Sequence, residues 1–172
     1  MSTFPLPFVP TLNWSGPAKG GRYFGAPRPK GRLHAGCDLI AKVGTEVFAI
    51  DSGVVLFSKR FNISYLPSVH VWEIMIVHPH FHARYCELSG PAPGIEKGAQ
   101  VQQGQVIGYV GKLTNSSMLH FELYKGDSSD YPTKPGNTKY LYVPNGGYMR
   151  RSDLLDPSQY LDQWRANVLV CA

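Results

Sequence analysis

The chain has 172 residues, of which 43% are hydrophobic and 17% are charged. This composition excludes a disordered chain, and the length suits one domain with a sizeable buried core. The formal net charge of +5 favours a polyanionic partner such as cell wall, nucleic acid or a membrane surface.

Two of these partners are disfavoured by finer features of the sequence. No run of basic residues is interleaved with aromatic residues, so we do not expect nucleic-acid binding. No apolar run approaches the roughly 18 residues of a membrane span, so we expect no membrane insertion. Residues 1–10 also lack the pattern of a signal peptide, which predicts a protein made in the cytoplasm and delivered by another route.

The N-terminal half is predicted to form an arm followed by β-strands. Residues 1–21 are rich in proline and glycine and form the predicted arm, while a single domain covers residues 22–172. Four segments have the β-branched, aromatic and alternating content of strands: 46–50, 54–60, 69–77 and 81–88. Asp51-Ser52-Gly53 is predicted to join the first two as a hairpin, and the last two are predicted to pair antiparallel.

The C-terminal half is predicted to add more strands and then a helix. Residues 101–111 have the pattern of glycine-punctuated β structure, and residues 118–124 alternate as a further strand. Residues 126–172 hold a long loop and a helix from Ser158 to about Asn167, with Asp156 before it as a capping residue. The sequence therefore predicts a mainly β fold, an antiparallel sheet or sandwich with a short C-terminal helix.

Two separated stretches carry residue types that bind metals. His34 and Asp38 are four residues apart with Gly36 between them, and His120 lies in the predicted strand 118–124. Two histidines and one carboxylate are the protein ligands of a catalytic zinc site, which leaves a fourth position for water. The alternatives are a loop histidine beside a turn carboxylate, and a core histidine in the strand that bonds to a carbonyl group.

Three motifs in this order carry a resemblance to a known family. They are His34-x-Gly36-x-Asp38-Leu39, Gly104-Gln105-x-Ile107-Gly108 and Leu119-His120-Phe121-Glu122. Over roughly residues 22–125 the chain resembles the lysostaphin-type zinc metallopeptidases, which cut peptide bonds in bacterial peptidoglycan. The resemblance implies the duplicated hybrid motif-like fold of that family and one zinc ion per chain, held by His34, Asp38 and His120.

Two positions depart from the family pattern. The family usually has histidines that help catalysis where this chain has Glu87 and Met118. The Met118 thioether is predicted to face the metal but cannot move protons at neutral pH. A carboxylate beside zinc-activated water is a sound general base, so Glu87 is predicted to take that role; the alternative is a glutamate salt-bridged to Arg84. Glu122 shares the face of His120 and is predicted to orient it.

Several other residues are candidates for the site or its surroundings. By the resemblance, Tyr23 is predicted to steady the oxyanion formed during hydrolysis, and the alternative is an aromatic side chain that pins a loop. His78 is a further candidate for a place near the metal or the substrate. Reduced thiols are expected at Cys37, Cys86 and Cys171, with a Cys37–Cys86 disulfide as the alternative because each adjoins a candidate site residue.

The predicted function is hydrolysis of a stem-peptide or cross-link bond of peptidoglycan by a zinc endopeptidase or carboxypeptidase. Such a protein would act in the periplasm or the extracellular cell wall, as a secreted antibacterial effector or a lysis protein. The sequence names neither a secretion partner nor a cognate immunity protein.

Two other functions compete with this prediction. A degenerate member of the same fold could keep its zinc and bind or regulate the cell wall without turnover, as the two missing histidines suggest. A phosphocarrier of the sugar transport system is a weaker rival. It needs a second histidine beside the one that accepts the phosphoryl group, and neither Met118 nor Glu87 supplies it.

Overall fold

A computed structural model describes residues 1–11, 14, 20–62, 69–126 and 147–169. Within these residues the strands are β1 (Pro27–Arg28), β2 (Arg32–Leu33), β3 (Cys37–Ile40), β4 (Glu46–Phe48), β5 (Gly53–Asn62), β6 (His70–Val77), β7 (His82–Pro91), β8 (Gln100–Val101), β9 (Val106–Val110), β10 (Met118–Tyr124) and β11 (Leu154–Leu155). The helix α1 spans Ser158–Trp164. None of the described helices is long and apolar enough to cross a membrane.

Nine of these strands form one antiparallel sheet, and β1 and β2 form a separate hairpin. The main path of the sheet runs β11-β10-β7-β6-β5-β8. Along one edge of β7 the partner changes from β10 to β9, because β10 pairs with residues 82–86 and β9 with residues 88–91. β10 itself lies between β7 and β3. This arrangement puts β3, β10 and β7 side by side, which decides where the polar side chains meet.

The two faces of β10 differ in chemistry as its alternation predicts. Leu119, Phe121 and Leu123 are fully buried in the apolar core. The residues between them, His120 and Glu122, project from the opposite face because successive side chains of a strand alternate. One face of this strand therefore builds the core and the other carries ionisable groups.

The strand predictions are confirmed except for one connection. β6 and β7 pair antiparallel with Val77 opposite His82, and β10 has the predicted bounds. The hairpin predicted at residues 51–53 is wrong, because β4 pairs with β9 while β5 pairs with β6 and β8. Gly53 is needed there for packing, since a Cβ atom at this position would lie 2.4 Å from the carbonyl oxygen of Val77.

Both terminal regions pack on the core side of the sheet. Phe4, Leu6 and Trp14 of the predicted arm are fully buried, and the amide of Phe4 donates to the carbonyl of Asn167 at 3.1 Å. These three residues of the predicted arm are thus part of the core, and residues 12–13 and 15–19 lie outside the described residues. Asp156 accepts a hydrogen bond from the amide of Ser158 at 2.8 Å, which agrees with its predicted capping role.

Two predictions for the C-terminal region differ in their outcome. The helix begins where predicted but ends at Trp164, three residues before Asn167. Most of the predicted long loop, residues 127–146, lies outside the described part of the chain.

Candidate metal centre

The pairing of β3 with β10 brings two of the predicted metal ligands together. Asp38 on β3 lies directly opposite His120 on β10. Paired residues of neighbouring strands project from the same face, so the carboxylate and the imidazole meet there. His34 precedes β3 and is buried beside them. Residues that are far apart in the sequence thus form one cluster through the sheet.

Gly36 allows the segment before β3 to approach β10. A Cβ atom at this position would lie 2.4 Å from the carbonyl oxygen of Phe121, which no real side chain tolerates. The φ angle of Gly36 is not in the left-handed region, so close approach rather than turn geometry requires glycine here. This contact holds His34 against the strand that carries His120.

Three ligand atoms converge in the group of candidate ligands His34, Asp38 and His120, which we call the metal cluster. Nε2 of His34 lies 3.1 Å from Oδ1 of Asp38 and 3.0 Å from Nδ1 of His120. Nδ1 of His120 lies 2.9 Å from the same carboxylate oxygen. Tetrahedral zinc with bonds of about 2.0 Å separates its ligand atoms by roughly 3.3 Å, so the spacing suits such an ion.

The hydrogen bonds on the far side of each imidazole fix the lone pairs that face the cluster. Nδ1 of His34 donates to the main-chain carbonyl of Tyr23 at 2.8 Å. Nε2 of His120 donates to the carboxylate of Glu122 at 2.9 Å. In the neutral rings the remaining nitrogens therefore carry lone pairs, both directed toward Asp38. Three converging lone-pair donors are the chemistry of a cation site.

The electrostatics of the cluster also favour a positive charge. Burial lowers the pKa of His120, but hydrogen bonds to Asp38 and Glu122 outweigh burial and raise it to about 9. Burial opposes ionisation of Asp38, yet the contacts of its carboxylate with His120 and His34 hold its pKa well below the usual range. This direction favours a protonated His120 near neutral pH when no metal is bound, and metal binding would release that proton.

The buried ion network behind His120 consists of the buried residues Glu73, Arg84 and Glu122 and of Arg150, which is partly exposed. Arg84 donates to Glu122 at 3.0 Å and, through Nε, to Glu73 at 2.8 Å. Arg150 contacts Glu122 at 2.9 Å, and the Tyr124 hydroxyl also donates to that carboxylate. Burial opposes ionisation of Glu122, but Arg150 and Arg84 hold its pKa well below the usual value.

This network determines the orientation of His120. The Glu122 carboxylate is itself held by two arginines, so it cannot rotate without breaking several charged hydrogen bonds. Its oxygen accepts from His120, as the predicted orienting role of Glu122 requires. Arg84 pairs with Glu73 and Glu122 rather than with Glu87, so the salt bridge considered for Glu87 is absent from the described structure.

Glu87 occupies a β-bulge at the point where β7 changes partner. Trp72 lies opposite Leu88 and Glu73 opposite Cys86, so Glu87 is the extra residue between them. Its φ of 68° lies in the left-handed region, which is strained for a residue other than glycine. The Gly111 amide donates to the carbonyl of Glu87 at 2.8 Å and so helps to hold this conformation.

The Glu87 carboxylate is also poorly satisfied. Its buried Oε2 has no hydrogen-bond partner among the residues that the structure describes. Burial raises the pKa of Glu87 to about 7; the charge of His120 lowers this pKa by a smaller amount, and the charge of Asp38 raises it further. The charges of two residues of the metal cluster therefore act on this carboxyl group. A carboxyl group of this pKa can exchange a proton near neutral pH.

Met118 lies on the same face of β10 as His120, two residues away. Its side chain packs against the small buried cluster formed by Val71 and Leu113. The position that carries a histidine in the resembled family is thus an apolar surface in this chain. The predicted place of Met118 beside the metal or the substrate stays a prediction.

Two predicted site residues have other surroundings in the structure. His78 contacts the carbonyl of Ser52 at 3.1 Å and the hydroxyl of Tyr85 at 3.2 Å, so the structure does not bring it to the metal cluster. The reason is that Tyr85 projects into the core, away from the face of His120. Tyr23 touches the cluster through its main-chain carbonyl, which accepts from His34, and its role as an oxyanion donor stays a prediction.

The cysteines do not form the disulfide considered for them. Cys37 and Cys86 are both free and buried. They project from opposite faces, because Cys37 lies opposite Phe121 and Cys86 opposite His120. Burial raises the pKa of Cys37 to about 12 and that of Cys86 well above its usual value, so both thiols stay protonated. Cys171 lies outside the described residues.

Sequence reasoning missed the contacts that the arginines around the site make with Asp38 and Glu122. Arg28 lies 3.6 Å from the Asp38 carboxylate, and Arg84 and Arg150 hold Glu122. One signal is present in the sequence, because Arg84 stands between apolar residues in a strand predicted to be central. A charge at such a position indicates a buried ionic partner. Arg150 gives no comparable signal, since it follows a segment without recognisable periodicity.

Comparison with known proteins assigns the chain to a family. No curated protein sequence matches the chain. The antimicrobial peptidase lysostaphin from Staphylococcus simulans has a similar structure, with a TM-score of 0.56 and 22% identity over 96% of this chain and 56% of that one. Its catalytic domain alone gives a TM-score of 0.53 and 23% identity over 81% of this chain and 89% of that one.

A third similar structure is a variant of the catalytic domain of the prophage-encoded M23 protein EnpA from Enterococcus faecalis. Its TM-score is 0.51 and its identity is 26%, over 75% of this chain and 88% of that one. These likenesses confirm the expected lysostaphin-type fold, and this chain spans 56% of the length of lysostaphin itself. The sequence model of peptidase family M23 matches residues 32–132, which is more than half of the chain. The chain belongs to peptidase family M23.

Proposed function

We propose that the chain is a zinc-dependent peptidase that hydrolyses peptide bonds of bacterial peptidoglycan. The observation that carries the proposal is the convergence of Nε2 of His34, Oδ1 of Asp38 and Nδ1 of His120 within 3.1 Å of one another. Membership of a peptidase family supports the reaction class. The similar antimicrobial peptidase lysostaphin supports the cell wall as the substrate and as the place of action.

The three residues would hold one zinc ion, and the chemistry of the donor set fits it. Zinc in such a site supplies a Lewis acid for the scissile carbonyl and makes water a nucleophile near neutral pH. Glu122 keeps His120 in the tautomer that leaves Nδ1 free, and the Tyr23 carbonyl does the same for Nε2 of His34.

Glu87 is the proposed general base. Its carboxylate would take a proton from the attacking water as the new C–O bond forms. The same proton would then pass to the leaving nitrogen as the C–N bond breaks, which yields a free amine and a carboxylic acid. The raised pKa and the unpartnered Oε2 support this role, because neither is explained by a structural contact of Glu87.

A second candidate function is a wall-binding module that has lost turnover. The packing of Met118 against an apolar cluster favours it, because this position offers no group that can transfer a proton. Such a protein would keep the metal cluster and bind peptidoglycan peptides without cutting them.

Mass spectrometry of defined muropeptides separates the two functions. Zinc-loaded protein should give a product that gains one water at a single peptide bond, and the site of the gain distinguishes an endopeptidase from a carboxypeptidase. The Glu87→Gln variant should bind one zinc ion but hydrolyse roughly 100-fold to 10,000-fold more slowly, the usual contribution of a general base. Unchanged hydrolysis by Glu87→Gln with zinc retained would contradict the role of Glu87. Absence of cleavage at full zinc occupancy would favour the wall-binding module.

The place of action depends on the proposed substrate. Peptidoglycan lies in the periplasm or the extracellular wall, so the protein would act there after delivery by a secretion machine or by lysis. A role as an antibacterial effector or a lysis protein would suit that delivery.

A further inference from the structure

The charge of the chain is unevenly distributed along the sequence. All 12 acidic residues lie at or after Asp38, whereas 5 of the 17 basic residues precede it. The net charge of +5 therefore arises entirely in residues 1–37, and the rest of the chain is balanced. The five basic residues are Lys19, Arg22, Arg28, Lys30 and Arg32.

Four of these residues lie in a segment that adjoins the metal cluster, residues 22–33, which we call the basic hairpin because it contains β1 and β2. The amide of His34 donates to the carbonyl of Ala26 at 2.9 Å, so a main-chain hydrogen bond joins the hairpin to a residue of the metal cluster. Arg28 reaches Asp38 at 3.6 Å. Arg32 stands two residues before His34, so at most about 7 Å separates their Cα atoms.

Two charges of the basic hairpin are not neutralised by any carboxylate in the described part of the chain. Lys30 and Arg32 are exposed, and no ion pair joins either of them to a carboxylate of the described residues. Nε of Arg22 is buried and lacks a hydrogen-bond partner within the described part of the chain. The arginines of the buried ion network differ, because Arg84 and Arg150 are both paired with Glu122.

We propose that the basic hairpin binds a carboxylate of the peptide substrate close to the bond that is cut. The inference rests on the proposed function, because it assumes that a peptidoglycan peptide occupies the neighbouring metal cluster. Stem peptides carry free carboxylates, and arginine and lysine at an exposed rim recognise such groups by charge and hydrogen bonding. The hairpin therefore selects for acidic peptides over their amidated forms.

Equilibrium binding of two muropeptides tests the proposal. One ligand has free carboxylates and the other is the same muropeptide with its carboxylates amidated. Both are titrated into the zinc-loaded Glu87→Gln protein, so that substrate is not consumed. We expect the free acid to bind more tightly, and the double variant Lys30→Gln, Arg32→Gln in that background to weaken its binding roughly threefold to tenfold, as two exposed ion pairs predict. Binding of the amidated ligand should not change.

A matched variant and a salt series keep the proposal open to refutation. Lys42→Gln, Lys97→Gln removes the same charge from exposed positions outside the basic hairpin and should leave both affinities within about twofold. Salt should weaken binding of the free acid more than that of the amidated ligand in the parent protein. Equal affinities for the two ligands, or an equal loss in the matched variant, would overturn the proposal. These are binding results, so they stand whether or not the protein hydrolyses its ligand.

Discussion

The buried ion network and Glu87 both place ionisable side chains in buried positions of the same sheet, but only the network pairs them. In the network every carboxylate is met by an arginine, and Glu122 accepts from Arg84, Arg150, His120 and Tyr124. Glu87 lies one residue beyond Cys86, the residue opposite His120, yet its Oε2 has no hydrogen-bond partner in the described residues and its backbone is strained.

The two regions differ in their effect on stability: the network stabilises the fold, whereas the conformation and burial of Glu87 lower its stability. The network is stabilised by its own contacts and would be damaged by loss of any member. Glu87 contributes burial of an ionisable group and a left-handed φ, both of which oppose folding. Natural chains retain such features mainly where activity requires them, so substitutions in the two regions should change stability in opposite directions.

The largest effect is expected from breaking the network at its centre. Arg84→Met leaves the buried carboxylates of Glu73 and Glu122 without their shared partner. The free energy of unfolding should fall by about 3 kcal/mol or more, the usual result of removing one partner of a buried pair. Urea unfolding measures it. Lys59→Met is the control, because Lys59 approaches Glu73 only at 3.9 Å from an exposed position, and should change stability by less than about 1 kcal/mol.

A pH series sharpens the contrast at Glu87. In the metal-free folded protein burial raises the pKa of Glu87 from 4.5 to about 7. The folded state therefore keeps a proton that the unfolded chain releases in this window, and the free energy of unfolding falls as pH rises from 4.5 to about 7. The fall should total about 3 kcal/mol.

Glu87→Gln isolates this contribution because the amide does not ionise. The variant and the parent should have similar pH dependence except in that window, where the parent loses additional stability. Urea unfolding of both proteins without metal, near pH 4.5 and pH 7.5, gives the difference. Parallel stability curves across the window would mean that Glu87 is not held in a charge-disfavouring environment.

The smallest expected effect concerns the backbone of Glu87. Glycine adopts a φ near 68° without strain, whereas alanine does not. Glu87→Gly should therefore be more stable than Glu87→Ala by about 1 kcal/mol, the reverse of the order found in ordinary strands. Thermal unfolding of the two variants compares them directly, and a more stable alanine variant would argue against the left-handed conformation.

Much of the metal cluster could be predicted from local pattern. Alternation along residues 118–124 assigns His120 and Glu122 to one face, and that assignment holds because β10 is a regular strand. Gly36 stands out in the sequence between two candidate ligands, although the reason for it is close approach to Phe121 rather than a bend. In a regular strand the alternation of side chains fixes which face each residue occupies, so the placement of such residues in the site can be predicted.

The rest could not be predicted because it depends on irregular or long-range structure. The bulge at Glu87 interrupts alternation by one residue, and a single inserted residue moves every later side chain of the strand to the other face. Arg84 lies 38 residues from Glu122 in the sequence, and no local rule links them. The hairpin predicted at residues 51–53 is wrong for the same reason, since turn chemistry does not say which strand becomes the partner.

β3 has four residues and, among the strands described, pairs with β10 alone. Short strands at an edge open more readily than strands inside a sheet. Because Asp38 belongs to β3 and His120 to β10, an ion shared by them would tie the edge strand to its neighbour. Amide hydrogen exchange along β3 would then slow on metal binding, and the rate at which a chelator removes the metal would follow the rate at which this edge opens.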